Sequence, residues 1–136
     1  MDTIRRADYF SVEVPNKIGE GARLLSALRD AGINLTAFTA FPSGRHAQID
    51  FVPHDTAAFK AAARKLRIQV SPRKTVFIVE GDDRPGAIAE ICEKLAAAGI
   101  NMIAMDAASA GNGRYAGMFW VAPGDARKAA KVLGTT

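Results

Sequence analysis

The sequence is poor in cysteine, in histidine and in long apolar runs. A single cysteine, Cys92, excludes a disulfide bond within the chain and favours a reducing compartment, so we expect a cytoplasmic protein. Neither His46 nor His54 has a second histidine or a cysteine at ligand spacing, so we expect no metal and no cofactor. Charges interrupt the longest apolar stretches well short of the roughly 20 residues of a membrane span, and the charged N-terminus lacks a signal-peptide core. We therefore expect no membrane partner.

Charge of one sign is also scarce. The formal net charge is +4, and the excess of lysine and arginine is spread over both halves of the chain. The one tight basic group is explained by a solvated helix end and the linker after it: Arg64, Lys65, Arg67, Arg73 and Lys74. Nucleic-acid binding depends on many phosphate contacts from basic side chains, so we expect no nucleic-acid partner.

Motifs for nucleophilic or phosphate chemistry are missing as well. The sequence has no G-x-S-x-G element and no G-x-x-x-x-G-K-[ST] loop, and we find no catalytic constellation in it. Cys92 shares an apolar helical face with Ile91 and Leu95, which predicts a buried structural thiol. The sequence thus predicts a protein that is not an enzyme.

What the sequence does contain is a copy of itself. Displaced by 67 residues, segment 9–41 falls on segment 76–108 without a gap, and twelve of the 33 positions are identical. The clearest shared run is Ala-Gly-Ile-Asn, at 31–34 and at 98–101. The chain therefore consists of two copies of one unit, each about half its length.

Each copy follows the same predicted order of elements. Apolar alternation predicts strands, and apolar residues at helical spacing, ending at Gly32 and Gly99, predict a helix after the first strand of each copy. Strands are predicted at 9–14, 33–41, 46–52 and 68–70, then at 75–80, 100–107 and 115–121, with second helices at 57–66 and 126–133. This βαββαβ order predicts an α+β, ferredoxin-like fold, an antiparallel sheet with both helices on one face.

The second copy ends before its last strand. We expect domains at residues 6–71 and 72–136, the second without its final strand, so that strand 75–80 would leave an apolar edge bare. Three partners could cover that edge: the N-terminal segment around Ile4, a strand of the first copy, or a second molecule. We expect the second molecule, and hence a homodimer.

The sequence resembles the ACT domain, a ferredoxin-like module that binds amino acids and regulates metabolism. The residues that carry the resemblance are the loop Asp83-Arg84-Pro85-Gly86 after a strand and the run 98–101 after a helix. The first copy matches less well, because its loop Asn16-Lys17-Ile18-Gly19 has isoleucine where proline is usual. The resemblance covers nearly the whole chain as a tandem pair.

The resemblance implies a free amino acid at the second loop, and elementary chemistry supports it. The backbone N–H groups of Gly86, Ala87 and Ile88 lie at a helix N-terminus, which suits a carboxylate, and Asp83 could pair with an ammonium group. A capped helix start with a turn glycine explains the same spacing. The predicted ligand-binding residues are Asp83, Arg84, Pro85, Gly86, Ala87, Ile88 and Asn101, with Asn16, Gly19 and Asn34 as the weaker set.

The two asparagines follow a helix in each copy. In ACT-like pairs this stretch often faces a partner's loop, but a turn asparagine explains Asn34 and Asn101 equally well. The leading hypothesis is a non-catalytic regulatory protein that binds a free amino acid. The alternatives are an interaction subunit that docks on a metabolic enzyme or transcription factor without a ligand, and a small enzyme on a ferredoxin-like scaffold.

Overall fold

The computed structural model of the chain describes residues 2–135 and places six strands and four α-helices in them. The chain divides into two compact units. The first unit comprises residues Asp8–Lys74, and the second unit comprises residues 2–7 and 75–135. The alternation of strands and helices confirms the predicted α+β class with ferredoxin-like units.

The first unit has an antiparallel sheet and two helices. Its strand order is β2-β3-β1, so β2 lies at an edge. The elements are β1 (Thr3–Pro15, of which the part from Asp8 onward belongs to this unit), α1 (Glu20–Asp30), β2 (Leu35–Ser43), β3 (His46–Pro53) and α2 (Thr56–Lys65).

Every second side chain along the inner part of β1 contributes to the core of the first unit. Phe10, Val12 and Val14 are buried, and every second residue of a strand points to the same face. Both helices pack on that face: Leu28 of α1 joins the same cluster, and the Phe59 ring of α2 stacks on Phe10 with centroids 5.2 Å apart. Both helices thus lie on one side of the sheet.

The strand predicted at 68–70 is not a strand in the structure. Residues Ile68 and Val70 still pack against the core of the first unit, but residues 66–73 contain no strand. One residue makes ladder-like contacts, since Ser71 N–H donates to the Ser11 carbonyl and Ser71 Oγ accepts the Ser11 N–H, each over 2.9 Å. Pro72 follows directly and has no N–H to continue the ladder.

The second unit repeats the pattern. Its elements after β1 are β4 (Lys74–Asp82), α3 (Ala87–Ala97), β5 (Met102–Gly111), β6 (Arg114–Val121) and α4 (Ala126–Val132). Strand β6 lies antiparallel between β4 and β5. The rings of Phe77 and Phe119 stack 5.0 Å apart at the centre of the sheet, and Ile91 and Leu95 of α3 pack into the same core.

The helices that follow the first strands end as predicted. Gly32 and Gly99 have φ of +77° and +73°. Immediately after them, Ile33 N–H donates to the Leu28 carbonyl over 3.0 Å, and the Ile100 N–H makes the equivalent 2.9 Å hydrogen bond in the second unit. These bonds close the helix ends in the manner of a Schellman motif.

Cys92 is exposed, so the predicted buried thiol was wrong. Ile91 and Leu95 are buried on α3, whereas Cys92 lies one residue further around the helix, about 100° away. The core-facing stripe of α3 is therefore narrower than the run of apolar residues in the sequence.

The edge of β4 is covered by the chain's own N-terminal segment, and the expectation of a second molecule there was wrong. Strand β1 neighbours β4, and its residues 3–7 belong to the second unit, where Ile4 packs against the core. After α4, the described residues up to 135 contain no further strand. The N-terminal segment thus stands where the final strand of a ferredoxin-like unit would be.

Candidate functional site

The loop between β4 and α3 presents a helix N-terminus. Gly86 precedes α3 with φ of +83°, a left-handed conformation that is energetically unfavourable for residues with a Cβ. Within residues 2–135, no side chain caps this helix start. Ala87 N–H donates to the Arg84 carbonyl over 3.3 Å, a long hydrogen bond. The first turn of a helix has N–H groups without partners in the helix, so α3 offers its positive end at this loop.

Asp83 is held in place by the opposite hairpin. Its N–H donates to the Gly113 carbonyl over 2.8 Å, and its Oδ2 accepts a hydrogen bond from Ser109 Oγ over 2.7 Å. An ionised carboxylate has capacity for about four hydrogen bonds, so Asp83 can still accept donors from a ligand. Ser109 was missed by the sequence analysis, because only the folded hairpin brings the end of β5 to this loop.

Arg84 is engaged in ion pairs. Its Nη2 donates to Glu90 Oε2 over 2.9 Å and lies 3.6 Å from Asp2 Oδ2. The loop motif predicts Arg84 as a ligand-binding residue but indicates neither carboxylate. Asp2 lies about eighty residues away in the sequence, so no local pattern could have indicated this contact.

An open pocket of about 310 Å³ lies beside the loop. Its lining brings together the second loop, the first turn of α3 and the end of β5: Asp83, Arg84, Gly86, Ala87, Ile88, Ala89, Ala107, Ala108, Ser109 and Tyr115. Of the residues predicted for the second loop, Pro85 and Asn101 lie outside this lining. The volume is at the low end of ligand pockets, which span about 300–1,000 Å³.

Tyr115 is a buried polar residue of this pocket. Its hydroxyl and Asp2 Oδ1 are both buried, and neither has a hydrogen-bond partner among residues 2–135. Burial of the phenol, followed by the negative charge of Asp2, raises the pKa of Tyr115. Asp2 of the N-terminal segment therefore pairs with Arg84 of the pocket lining and raises the pKa of Tyr115.

The first loop has the same backbone conformation. Gly19 precedes α1 with φ of +89°, and Asn16 N–H donates to the Arg45 carbonyl over 3.3 Å, as Asp83 N–H donates to the opposite hairpin. Glu20 N–H donates to the Lys17 carbonyl over 3.4 Å, the counterpart of the Ala87 bond. The two loops thus share a frame of hydrogen bonds.

The side chains around the first loop differ from those around the second. Asn16 stands at the position of Asp83 and carries no charge. Antiparallel pairing places Pro42 opposite Ala47 in the first unit, where the second unit pairs Ser109 with Tyr115. The first loop therefore lacks the carboxylate, the hydroxyl and the phenol that its counterpart gathers.

The two asparagines after the helices are exposed. The Asn34 carbonyl accepts the His54 N–H over 3.0 Å and so fastens the start of β2 to the end of β3. Asn34 and Asn101 both lie outside the lining of the pocket at the second loop. The role of Asn34 and Asn101 in ligand binding stays a prediction.

Residues 75–135 match the family model of the ACT domain. The match covers just under half of the 136-residue chain, and this segment is similar to the ACT domain. The matched segment contains the second loop and every residue that lines its pocket. Among curated proteins, none matches the sequence.

Solved structures share this fold over nearly the whole chain. Protein BT0572 from Bacteroides thetaiotaomicron has a TM-score of 0.81 at 22% identity, and the match covers 95% of this chain and 87% of that one. The ligand-free regulatory subunit of aspartate kinase from Thermus thermophilus has a TM-score of 0.65 at 15% identity, with coverage of 98% and 95%. At these identities, the likeness shows a common fold.

Two further observations bear on other classes of site. Within residues 2–135, no group of three or more His, Cys, Asp and Glu side chains could hold a metal ion. In the same part of the chain, none of the helices has the length and apolar character needed to cross a bilayer.

Proposed function

We propose that this protein is a non-catalytic regulatory protein that binds a free α-amino acid in the pocket of the second loop. The observation that carries the proposal is the juxtaposition of an uncapped helix N-terminus with the Asp83 carboxylate across one small pocket. A free amino acid carries one anionic and one cationic group on the same carbon. A pocket with donors for the first and an acceptor for the second fits that pattern.

The proposed pose follows from charge. The ligand's carboxylate accepts hydrogen bonds from the N–H groups at the start of α3, among them Gly86 and Ile88, where the helix dipole favours negative charge. The ligand's ammonium donates to Asp83, which Ser109 holds in orientation over 2.7 Å. Charge-assisted hydrogen bonds of this kind are about twice as strong as neutral ones.

The regulatory role is supported by the family and by fold neighbours. Binding by an ACT domain, without catalytic residues of its own, is the role that the resemblance implied. A chain of similar fold is itself a regulatory subunit of aspartate kinase. We propose that this chain likewise acts on amino-acid metabolism, as a regulator whose ligand is a metabolite.

The first loop is the weaker ligand site in this proposal. Asn16 offers a neutral amide in place of the Asp83 carboxylate, and Pro42 has no donor to orient it. We therefore propose one bound amino acid per chain at the second loop.

The second candidate function is an interaction subunit without a ligand. It is favoured by apolar side chains that the first unit exposes: Ile18 at the tip of the first loop and Phe38 and Phe41 on edge strand β2. This function predicts a partner protein and no thermal shift with any amino acid.

A thermal-shift screen against the twenty amino acids tests the proposal. We expect at least one of them to raise the melting temperature, because a ligand that binds the folded state stabilises it. Gly86→Val should abolish the shift, since the space around this position is open and the new side chain would extend into it.

Gly19→Val is the matched control. Gly19 has nearly the same φ, and a Cβ there also meets no neighbouring atom, so both variants carry the same backbone strain. The control should keep the ligand-induced shift. Loss of the shift in both variants, or in neither, would place the ligand elsewhere, and no shift with any amino acid would reject the proposed function.

A further inference from the structure

We infer that the ligand of the second-loop pocket is an amino acid with a small, uncharged, aliphatic side chain. This inference rests on the proposed function and concerns the part of the pocket that the two charged ends of the ligand leave open. It follows from two sets of groups in the lining. One set already pairs with the protein or with the charged ends of the ligand, and the other set is left to contact the ligand's side chain.

The lining contains two charged residues, Asp83 and Arg84, and each of them already has a partner in the proposed complex. Asp83 is the acceptor for the ammonium group in the proposed pose. Arg84 points to Glu90 at 2.9 Å and lies 3.6 Å from Asp2, so its positive charge is already neutralised by carboxylates of the protein. An acidic ligand side chain would have to compete with both, and a basic one would compete with the ligand's own ammonium for Asp83.

The remaining walls are apolar and short. Ala87, Ile88 and Ala89 form the first turn of α3, and Ala107 and Ala108 lie opposite on β5. Antiparallel pairing sets Ala107 of β5 against Gly117 of β6 and Ser109 against Tyr115, so Ala107 and Ser109 lie on the face of the sheet that carries the buried Tyr115. A ligand side chain between α3 and β5 therefore contacts methyl groups.

Tyr115 adds a buried polar group to this lining. The residue is only 5% exposed, and its hydroxyl has no hydrogen-bond partner within residues 2–135. The negative Asp2 carboxylate lies near this hydroxyl, so the phenol belongs to the contact with the N-terminal segment as well as to the pocket lining. The pocket volume of about 310 Å³ is at the low end for ligand pockets, which favours a small ligand over an aromatic one.

Isothermal titration calorimetry with alanine, valine, isoleucine, aspartate, lysine and phenylalanine tests the inference. We expect one of the first three to bind at least about tenfold more tightly than the last three, because an unpaired buried charge or excess volume costs at least that much. If aspartate, lysine or phenylalanine bound most tightly and Gly86→Val abolished that binding, the inference would fail while the proposed function stood. If all twenty amino acids failed to bind, the proposed function itself would fail.

A pair of alanine variants on β5 tests the wall directly. Ala107→Leu should weaken binding of the best aliphatic ligand at least about tenfold, because its side chain would occupy the space between β5 and α3. Ala104→Leu is the matched control: Ala104 is also an exposed alanine of β5 but lies outside the lining, and it should leave the affinity unchanged. Equal affinities of the two variants would overturn the inference, and the ligand panel on the unmodified chain decides it independently of how either variant folds.

Discussion

At the residue scale, Asp83 distinguishes the two copies of the loop. The backbone hydrogen bonds around it recur at Asn16, so geometry alone would make the two loops equivalent. The charge of the carboxylate and its 2.7 Å hydrogen bond from Ser109 are found at the second loop only. In the proposed function, the pair Asp83–Ser109 is the feature that makes the second loop the ligand site.

Asp83→Asn copies the first loop into the second. The amide keeps the size of the side chain but removes the charge that the ligand's ammonium would meet. A hydrogen bond to a charged group contributes about 1.5–3 kcal/mol, so we expect the affinity to fall by about 10- to 100-fold. Calorimetry with the best ligand from the screen measures it, and an unchanged affinity would show that Asp83 does not contact the ligand.

Tyr115 predicts a pH dependence of stability. Burial and the charge of Asp2 raise its pKa, so the folded state holds the phenolic proton more tightly than the unfolded state, where the pKa is about 10. The stability contributed by the neutral phenol is fully present below that pH and is lost as the pH rises through the higher folded-state value. Urea unfolding between pH 9 and 11 should show this loss.

A Tyr115→Phe variant provides the comparison for this titration. It has no phenolic proton at position 115, so its stability should fall less steeply over the same pH range. In a Tyr9→Phe variant the remaining tyrosinate absorbance reports Tyr115, and its midpoint should lie above about 10. A midpoint at or below 10 would mean that the phenol is not desolvated.

The site could be predicted from the sequence only where it is local. Asp83 and Gly86 can be identified from the sequence because both lie in one four-residue loop between a predicted strand and a predicted helix. Ser109 and Asp2 reach the site through pairing with distant segments, and nothing in their own neighbourhood indicates it.

At the element scale, the N-terminal segment replaces a missing strand. The sequence predicts strand β1 only from Tyr9 onward, because residues 3–8 are mostly polar or charged and show no apolar alternation. In the structure those residues are strand, and Ile4 anchors them. The position of this segment beside β4 makes it a strand although its side chains are mostly polar, and a pattern of apolar alternation does not report backbone pairing.

Gly81→Ala should loosen this segment. A Cβ at position 81 would overlap the Asp2 carboxylate, and the backbone of Asp2 is also close, so residue 2 must move. We expect faster amide hydrogen exchange at residues 3–7, with little change in the core of the second unit. Gly124→Ala is the control, because a Cβ there meets nothing, and equal exchange in both variants would contradict the contact.

The spacing of apolar residues predicts the helices and the paired strands well, but it predicts short segments poorly. The helices begin and end within a few residues of their predicted bounds because apolar spacing and terminal glycines determine them together. The segment 68–70 has the apolar alternation of a strand, but the left-handed Arg67 before it and Pro72 after it leave too few consecutive N–H groups for a ladder.

At the scale of the whole molecule, the homodimer remains a prediction with a changed basis. The bare edge of β4 no longer supports it, because the N-terminal segment covers that edge. The exposed Phe38 and Phe41 on edge strand β2 now support it instead. Sedimentation at micromolar concentration should give about twice the 14.4 kDa of one chain, and Phe38→Lys should shift the distribution toward the monomer.

A species of 14.4 kDa at every concentration would reject the homodimer. That result would not affect the proposed ligand site, since all residues that line the pocket belong to one unit of one chain.

A titration of backbone amide chemical shifts shows directly whether an amino acid binds at the second loop. With the best aliphatic ligand added, we expect the largest shifts on Gly86, Ala87, Ile88 and Ser109, with saturation at one ligand per chain. The amides of the first loop, residues 16–20, should shift little. Largest shifts at residues 16–20, or at neither loop, would show that the amino acid does not bind at the second loop.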